Sequence, residues 1–390
     1  MSDIFPVIST PVSVLGLMSG TSGDGIDAAL VRFEPDGAFR LLRYEAYPFD
    51  FRVRTRLQGL MQRASADEVA LAAGYVAELY ARAVEAFRAH GPGDERIDLL
   101  AAHGQTLAHR PAPENWEGIP VRGTLQALNS GWLAHKTGIP VAYDFRSRDL
   151  AADGEGAPLV PYGDRRFFGG LPGDSVCLNI GGIANITVLR RTPLPTVVAA
   201  FDTGPGNMLM DALAIELSGG QNSYDAEGLF AARGTTHPDW LKTLMSDVYL
   251  HRPPPKSTGR DRFGRDRLAE FRASIGKDVN LFDLMSTLLD FTVCSIVDAL
   301  ERFVFSENPI QRVILAGGGA ENSELVRRLR IGLPASTQLS RSDVFGVPAG
   351  AREAMAFAAL GEALLRGIPG NVPAATGATS EVILGSLTPP

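Results

Sequence analysis

Three times along this 390-residue chain an apolar, β-favouring run feeds straight into a glycine turn. VLGLM at Val14 enters SGTSGDG, SVCLNI at Ser175 enters GGIAN, and RVILA at Arg312 enters GGGAEN. A strand that ends in glycine leaves its backbone N–H groups bare, because no Cβ stands over them. The first two units continue into a second apolar strand, IDAALVRF and ITVL, with hairpin chemistry between. A repeat of this kind predicts duplicated lobes that share one cleft.

The segments between are helical or extended by their period. Val69, Ala73, Val76, Tyr80, Ala83 and Phe87 lie on one helix face, as do Phe282, Met285, Leu289, Val293, Ile296, Leu300 and Phe303. A further helix is expected over 351–365, and Asn322 or Ser323 can cap the helix after the third turn. Strands are expected at 39–47, 97–102, 140–143 and 197–201. His103 to Thr106 reads as a polar turn, residues 125–137 as helix, and 151–173 and 367–377 as hinges. Strands alternating with helices give an α/β protein. Its length suits two lobes of about 100–200 residues each, here 11–145 plus 371–390 and 146–370.

Composition excludes several classes. The net charge of −7 comes with no basic run, so neither a nucleic-acid partner nor an anionic membrane surface is expected. Cys177 and Cys294 sit far apart in apolar runs and read as buried, reduced thiols. The start MSDIFPVISTPVS lacks a basic and then apolar leader, and no long apolar run occurs, so the cytoplasm is the expected location. A homodimer is compatible with all of this.

Common nucleotide signatures do not fit. Gly259 to Asp266 has Arg265 and Asp266 where a P-loop needs Lys and Ser or Thr. Gly204-Pro205-Gly206 lacks the third glycine of a dinucleotide fingerprint, and DFR at Asp144 is not the kinase DFG. The turn Gly20, Thr21, Ser22, Gly23, Asp24, Gly25, Ile26, Asp27 remains as a phosphate nest. Asp24 and Asp27 would repel phosphate unless a cation intervened, so they fit as holders of Mg²⁺ through water. Asn179, Gly181 and Gly182 form a second candidate grip, and Gly317, Gly318 and Gly319 let a flat adenosine approach the backbone. Each turn has a plain alternative as polar loop chemistry.

The chain resembles the anhydro-N-acetylmuramic acid kinases over nearly its whole length. GLMSGTSGDGID at Gly16, HGQT at His103, DFRSRDLAADGEGAPLVP at Asp144, NIGGIANIT at Asn179 and FDTGPGNMLMDA at Phe201 carry the resemblance. KSTGRDRF at Lys256, LAGGGAEN at Leu315 and REAMAFAALGEALL at Arg352 complete it. The chain departs from the family pattern at Gly23, at 126–130 and at 153–156.

The resemblance implies a two-lobed actin-like ATPase (ribonuclease H-like) fold with ligands in the interlobe cleft. It also implies ATP and Mg²⁺ as cofactors and a small anhydrosugar as substrate. The implied reaction opens 1,6-anhydro-N-acetylmuramic acid with water and phosphorylates O6, in peptidoglycan recycling. A kinase of the same fold acting on another anhydrosugar or a plain sugar hydroxyl is the alternative. A shape-switching ATPase or sugar-sensing regulator is a third reading.

Asp202, opening the Gly-Pro-Gly turn, matches the family's catalytic base. His103, Arg146, Asp149, Gly204, Gly206, Asn207 and Glu353 are implied on the sugar side, with structural roles open for several of them. The charged run Lys256 to Arg267 reads as a flap over phosphates or a solvated loop.

Overall fold

In this computed structural model residues 10–20, 23–93, 95–191, 194–276, 278–305 and 309–390 are described. The chain divides into two units. One runs up to Phe167 and resumes over Gly350–Pro390; the other is Phe168–Ala349.

The first unit is built on β1 (Val12–Met18), β2 (Gly25–Phe33), β3 (Phe39–Pro48) and β4 (Leu99–Ala102). A two-stranded ribbon follows, β5 (Gln105–Trp116) with β6 (Ile119–Ala127), and then β7 (Val141–Tyr143). The second unit holds β8 (Ser175–Ile180), β9 (Ile183–Arg191), β10 (Pro195–Pro205), β11 (Arg312–Ala316) and β12 (Gln338–Arg341). β13 (Ser386–Thr388) returns to the first unit.

The first sheet has the order β13-β7-β4-β1-β2-β3 and the second β10-β9-β8-β11-β12. In each, a meander of three antiparallel strands is extended on its first strand by two parallel ones. The five-strand pattern of the first unit is therefore repeated in the second. This is the duplicated ribonuclease H-like arrangement of the actin-like ATPases, and the α/β expectation holds. β4 is buried along its whole length, as a parallel strand covered on both faces must be, whereas the edge strand β3 is half exposed.

Local chemistry sets the helices. Ser65 and Glu68 form a capping box at the start of the helix Ala66–His90. Asn280 caps Leu281–Phe303, whose buried face carries the core of the second unit. Asn322 caps Ser323–Gly332, as its position predicts. Among the described residues no helix is long and apolar enough to cross a membrane.

The helix Arg352–Leu365 crosses β1, β2 and β4 at close quarters. A Cβ on Gly16 would lie 1.9 Å from the Ala354 carbonyl oxygen, and one on Gly361 would lie 2.7 Å from Ala101 Cβ. At the start of this helix Arg352 forms a forked pair with Asp164, at 2.9 and 2.6 Å, with both side chains buried. These contacts tie 146–167 and 350–370 to the first unit, where the sequence reading gave 146–370 to the second lobe.

Other differences have identifiable causes. Residues 105–127 form the β5–β6 ribbon, which takes in the end of the turn expected at 103–106 and the start of the helix expected over 125–137, and the helix begins only at Ser130. Pro111, Pro113 and Pro120 argue against a strand, but a two-stranded ribbon has free edges where a missing N–H costs nothing. The run 256–267 is no solvated loop throughout: Phe263 is fully buried, and helices Arg260–Phe263 and Arg265–Ile275 occupy it. The 151–173 segment contains the helix Val160–Phe168. Cys177 is buried, whereas Cys294 is only partly so; both are free thiols.

Removing one member of a buried ion pair strands its partner's charge, which costs about 3–5 kcal/mol. Asp164→Ala should lower unfolding stability by about that amount in urea titrations. A loss below about 1 kcal/mol would show that Arg352 does not anchor this helix.

Candidate active site

In the second unit three glycine segments, distant in sequence, meet at the ends of β8, β10 and β11. The Gly206 and Asn207 amides donate to the Gly182 and Gly181 carbonyls at 2.9 and 2.8 Å, joining the β8–β9 turn to the end of β10. A Cβ on Gly206 would sit 2.2 Å from the Gly181 oxygen, so only glycine permits this approach. Gly317, at φ +79°, passes so close to Asn179 that a Cβ would lie 2.8 Å from its Oδ1. A Cβ on Gly319 would lie 2.3 Å from Ile180 Cγ2 and 3.1 Å from Asn207 Oδ1. Asn207 Nδ2 donates to the Ile180 carbonyl at 3.4 Å, and Thr292 donates to the Gly206 carbonyl at 2.8 Å. Gly204, by contrast, is buried against Leu250 and Ser295. Asn179, Gly181, Gly182, Gly206, Asn207, Gly317, Gly318 and Gly319 thus come together in one glycine-rich cluster, with Gly206 and Gly319 buried in it.

Asp202 lies beside it, within β10 instead of after it. The register against β9 shifts between Asp202 and Gly204. A bulge of this kind re-aims the side chains next to it. The Asp202 carboxylate accepts from the Thr258 amide at 2.9 Å. Its own amide donates to the Lys256 carbonyl at 3.1 Å, and its carbonyl accepts from the Tyr249 hydroxyl at 2.9 Å. Burial pushes the carboxyl up to about 6, against the pull of the Thr258 amide and the Lys256 charge. Such a group is ionised at neutral pH yet basic enough to accept a proton. From sequence, Lys256 and Thr258 stood within the KSTGRDRF motif and the charged run without a role at Asp202, and Tyr249 was not singled out. The available signal was KSTG directly after Pro253, Pro254 and Pro255.

In the first unit the turn after β1 is braced from β5. Ser19 Oγ donates to Gln105 Oε1 at 2.9 Å, and Gln105 Nε2 donates to the Gly20 carbonyl at 3.2 Å. Gly23, at φ +65°, closes the turn with its amide on Gly20. Thr21 and Ser22 lie outside the described residues. Gly25 approaches the Tyr47 carbonyl too closely for any side chain. Ile26, expected at a ligand, has its side chain in the core at 1% exposure, which leaves only its backbone for one.

The carboxylates of this turn differ. Asp24 is exposed and paired with Arg54 at 3.0 Å. Asp27 is partly buried and accepts from the Tyr44 hydroxyl at 2.7 Å; burial raises its pKa and this hydrogen bond opposes the rise. Glu353 is exposed, although protein atoms crowd around its carboxyl. That desolvation raises its pKa, the Asp27 charge adds to the rise, and Arg352 and Arg146 oppose it.

His103 and Arg146 form a fixed pair. His103 Nδ1 lies 3.1 Å from the Ser19 carbonyl and 3.0 Å from that of Gly104. Both oxygens only accept, so Nδ1 carries the proton and Nε2 accepts from Arg146 at 2.9 Å. Arg146 also donates to the Gly156 carbonyl at 2.8 Å. Asp149, left open from sequence as a sugar contact or a structural partner, makes structural contacts. It is fully buried and accepts from the Gly156 amide, Asn371 and Thr376 at 2.7, 2.9 and 2.8 Å, which binds loop 153–156 to 371–376.

Burial, with Arg146 beside it, draws the His103 pKa down to about 3. Between that value and the unfolded value near 6.5 the unfolded chain binds the extra proton, so stability falls as pH falls. Relative to His103→Gln, the native protein should lose about 1 kcal/mol more between pH 7.5 and pH 5.5. Parallel pH–stability curves for the two proteins in urea would refute the neutral histidine.

Known proteins can now be set beside this geometry. Residues 12–390 match the family model described as anhydro-N-acetylmuramic acid kinase. The protein of that name from Salinibacter ruber is 40% identical over 97% of this chain and 96% of its own length. Its namesake from Thiobacillus denitrificans is 41% identical over 96% of each chain. That of Caldanaerobacter subterraneus is 36% identical, again over 96% of each. With a family model spanning both units and relatives aligned nearly end to end, this chain belongs to the anhydro-N-acetylmuramic acid kinase family.

Proposed function

We propose that the protein uses ATP to open 1,6-anhydro-N-acetylmuramic acid with water and to phosphorylate the released O6, giving N-acetylmuramic acid 6-phosphate for peptidoglycan recycling. The observation that carries this reading is Asp202, held beside the glycine turns by one hydrogen bond each at its carboxylate, its amide and its carbonyl. Asp202 takes a proton from water as that water's oxygen bonds to the anomeric carbon. The C1–O6 bond breaks, O6 accepts the γ-phosphoryl group, and ADP leaves. The backbone at Gly182, on the tip of the β8–β9 turn whose Gly181 amide is held by the Ile183 carbonyl at 3.2 Å, serves the phosphates, and the Gly317–Gly319 turn serves the adenosine.

In the first unit the Gly20–Asp27 turn supplies further backbone donors. Arg146, immobilised by His103, and Glu353 offer a donor and an acceptor to sugar hydroxyls. The donor set for Mg²⁺ favours indirect contact, since no cluster of three ligating side chains occurs among the described residues. Asp27 fits as a holder through water, because Glu353 repels its charge and a cation would relieve both. Asp24 fits less well, being engaged by Arg54. Bound magnesium would neutralise charge on the nucleotide phosphates. Use of ATP suits a cytoplasmic location.

Asp202→Asn should lower turnover of the anhydrosugar by about 10²–10⁴, the usual worth of a general base. ATP affinity by calorimetry should stay within about twofold, since the change removes a charge and not the turn. Turnover near the native value in a coupled ADP-release assay would reject Asp202 as the base.

A further inference from the structure

A buried ammonium stands behind Asp202. Lys256 is 6% exposed, and its Nζ donates to the main-chain oxygens of Leu250 and Tyr249 at 2.9 and 3.4 Å. The rings of Tyr249, Phe303 and Phe201 surround it at 5.0, 5.1 and 5.8 Å. Among the described residues it makes no ion pair. Holding a desolvated cation without a carboxylate against it is unfavourable, and apolar packing would be the cheaper filling. Burial accordingly draws its pKa down to about 8.

The same segment grips Asp202 at every polar group of its main chain and on its carboxylate. Lys256 takes the Asp202 amide, Tyr249 takes its carbonyl, and Thr258 donates to the side chain. Lys256 thus binds one end of the 249–258 segment to the other, with Asp202 between.

We infer that Lys256 and Tyr249 are positioning residues for the base: the lysine folds residues 249–258 into a clamp that aims the Asp202 carboxylate and keeps a positive charge behind it. The inference rests on reading Asp202 as the base. Around Asp202 the groups that face it are the Thr258 amide and Lys256. Around Lys256 they are Asp298 and Arg302 of the helix Leu281–Phe303, Arg252 and Asp202. Arg252 and Arg262 face Tyr249. Removing the lysine charge leaves the carboxylate harder to ionise, so its titration moves to higher pH.

The test is Lys256→Met in the full chain, compared with Lys256→Arg. We expect kcat to fall about 10- to 100-fold, the scale of a misplaced catalytic group, with KM for ATP and anhydrosugar within about twofold. The acid limb of kcat/KM should move to higher pH and return with Lys256→Arg. A folded Lys256→Met with native kcat and an unmoved limb overturns the inference. Should Lys256→Met fail to fold by circular dichroism, Tyr249→Phe decides: a lower kcat at constant KM supports the clamp, and native kcat overturns it. An active Asp202→Asn removes the base and the clamp together. An inactive Asp202→Asn beside a normal Lys256→Met removes the clamp alone.

Discussion

Two backbone hydrogen bonds, from Gly206 and Asn207 to the carbonyls of Gly182 and Gly181, organise the second unit's site. They need main chain to touch main chain, and a Cβ at Gly206 would stand 2.2 Å from an oxygen. Glycine is therefore a steric requirement here and not merely a turn former. Once the end of β10 is fastened to the β8–β9 turn, Asn207 is brought to the Gly319 backbone. The register shift that puts Asp202 beside this cluster lies two residues upstream.

The charges follow a consistent pattern in both units. Groups that would act as acceptors, Asp202, Asp27 and Glu353, are desolvated enough to have raised pKa values. Each is opposed by a donor or cation: the Thr258 amide of the loop before Arg260 for Asp202, Tyr44 of β3 for Asp27, and Arg352 and Arg146 for Glu353. His103 is the converse, a base kept neutral so that it can accept from Arg146. Burial raises Asp211 and Asp225 in the same way, so it is the place of Asp202 beside the glycine turns, and not its pKa alone, that marks it out.

Much of this was legible from the chain. Apolar runs ending in glycine located β1, β8 and β11 and their turns, and a three-and-four spacing located the helices Ala66–His90 and Leu281–Phe303. Asn322 announced a helix start, because its side chain can satisfy an otherwise free amide. FDTGPGN made legible that Asp202 opens a Gly-Pro-Gly turn at the end of an apolar run. The β5–β6 ribbon was not, since prolines mask a strand whose edges are unpaired. Which of the two roles left open for Asp149 it takes was not legible for a related reason: its partners Asn371 and Thr376 are more than two hundred residues away in sequence.

The sequence by itself determined the order of elements, the glycine turns and the residue types that could bind phosphate or move a proton. These depend on local rules: period, propensity and the absence of a Cβ. Only the tertiary structure decided how those residues are used. It put Ile26 in a core, spent Asp24 on Arg54 and left Asp27 beside Glu353. It also turned a charged stretch at Lys256 into the support of Asp202. Desolvation and hydrogen bonding between distant segments set those outcomes, and neither can be summed from neighbours along the chain.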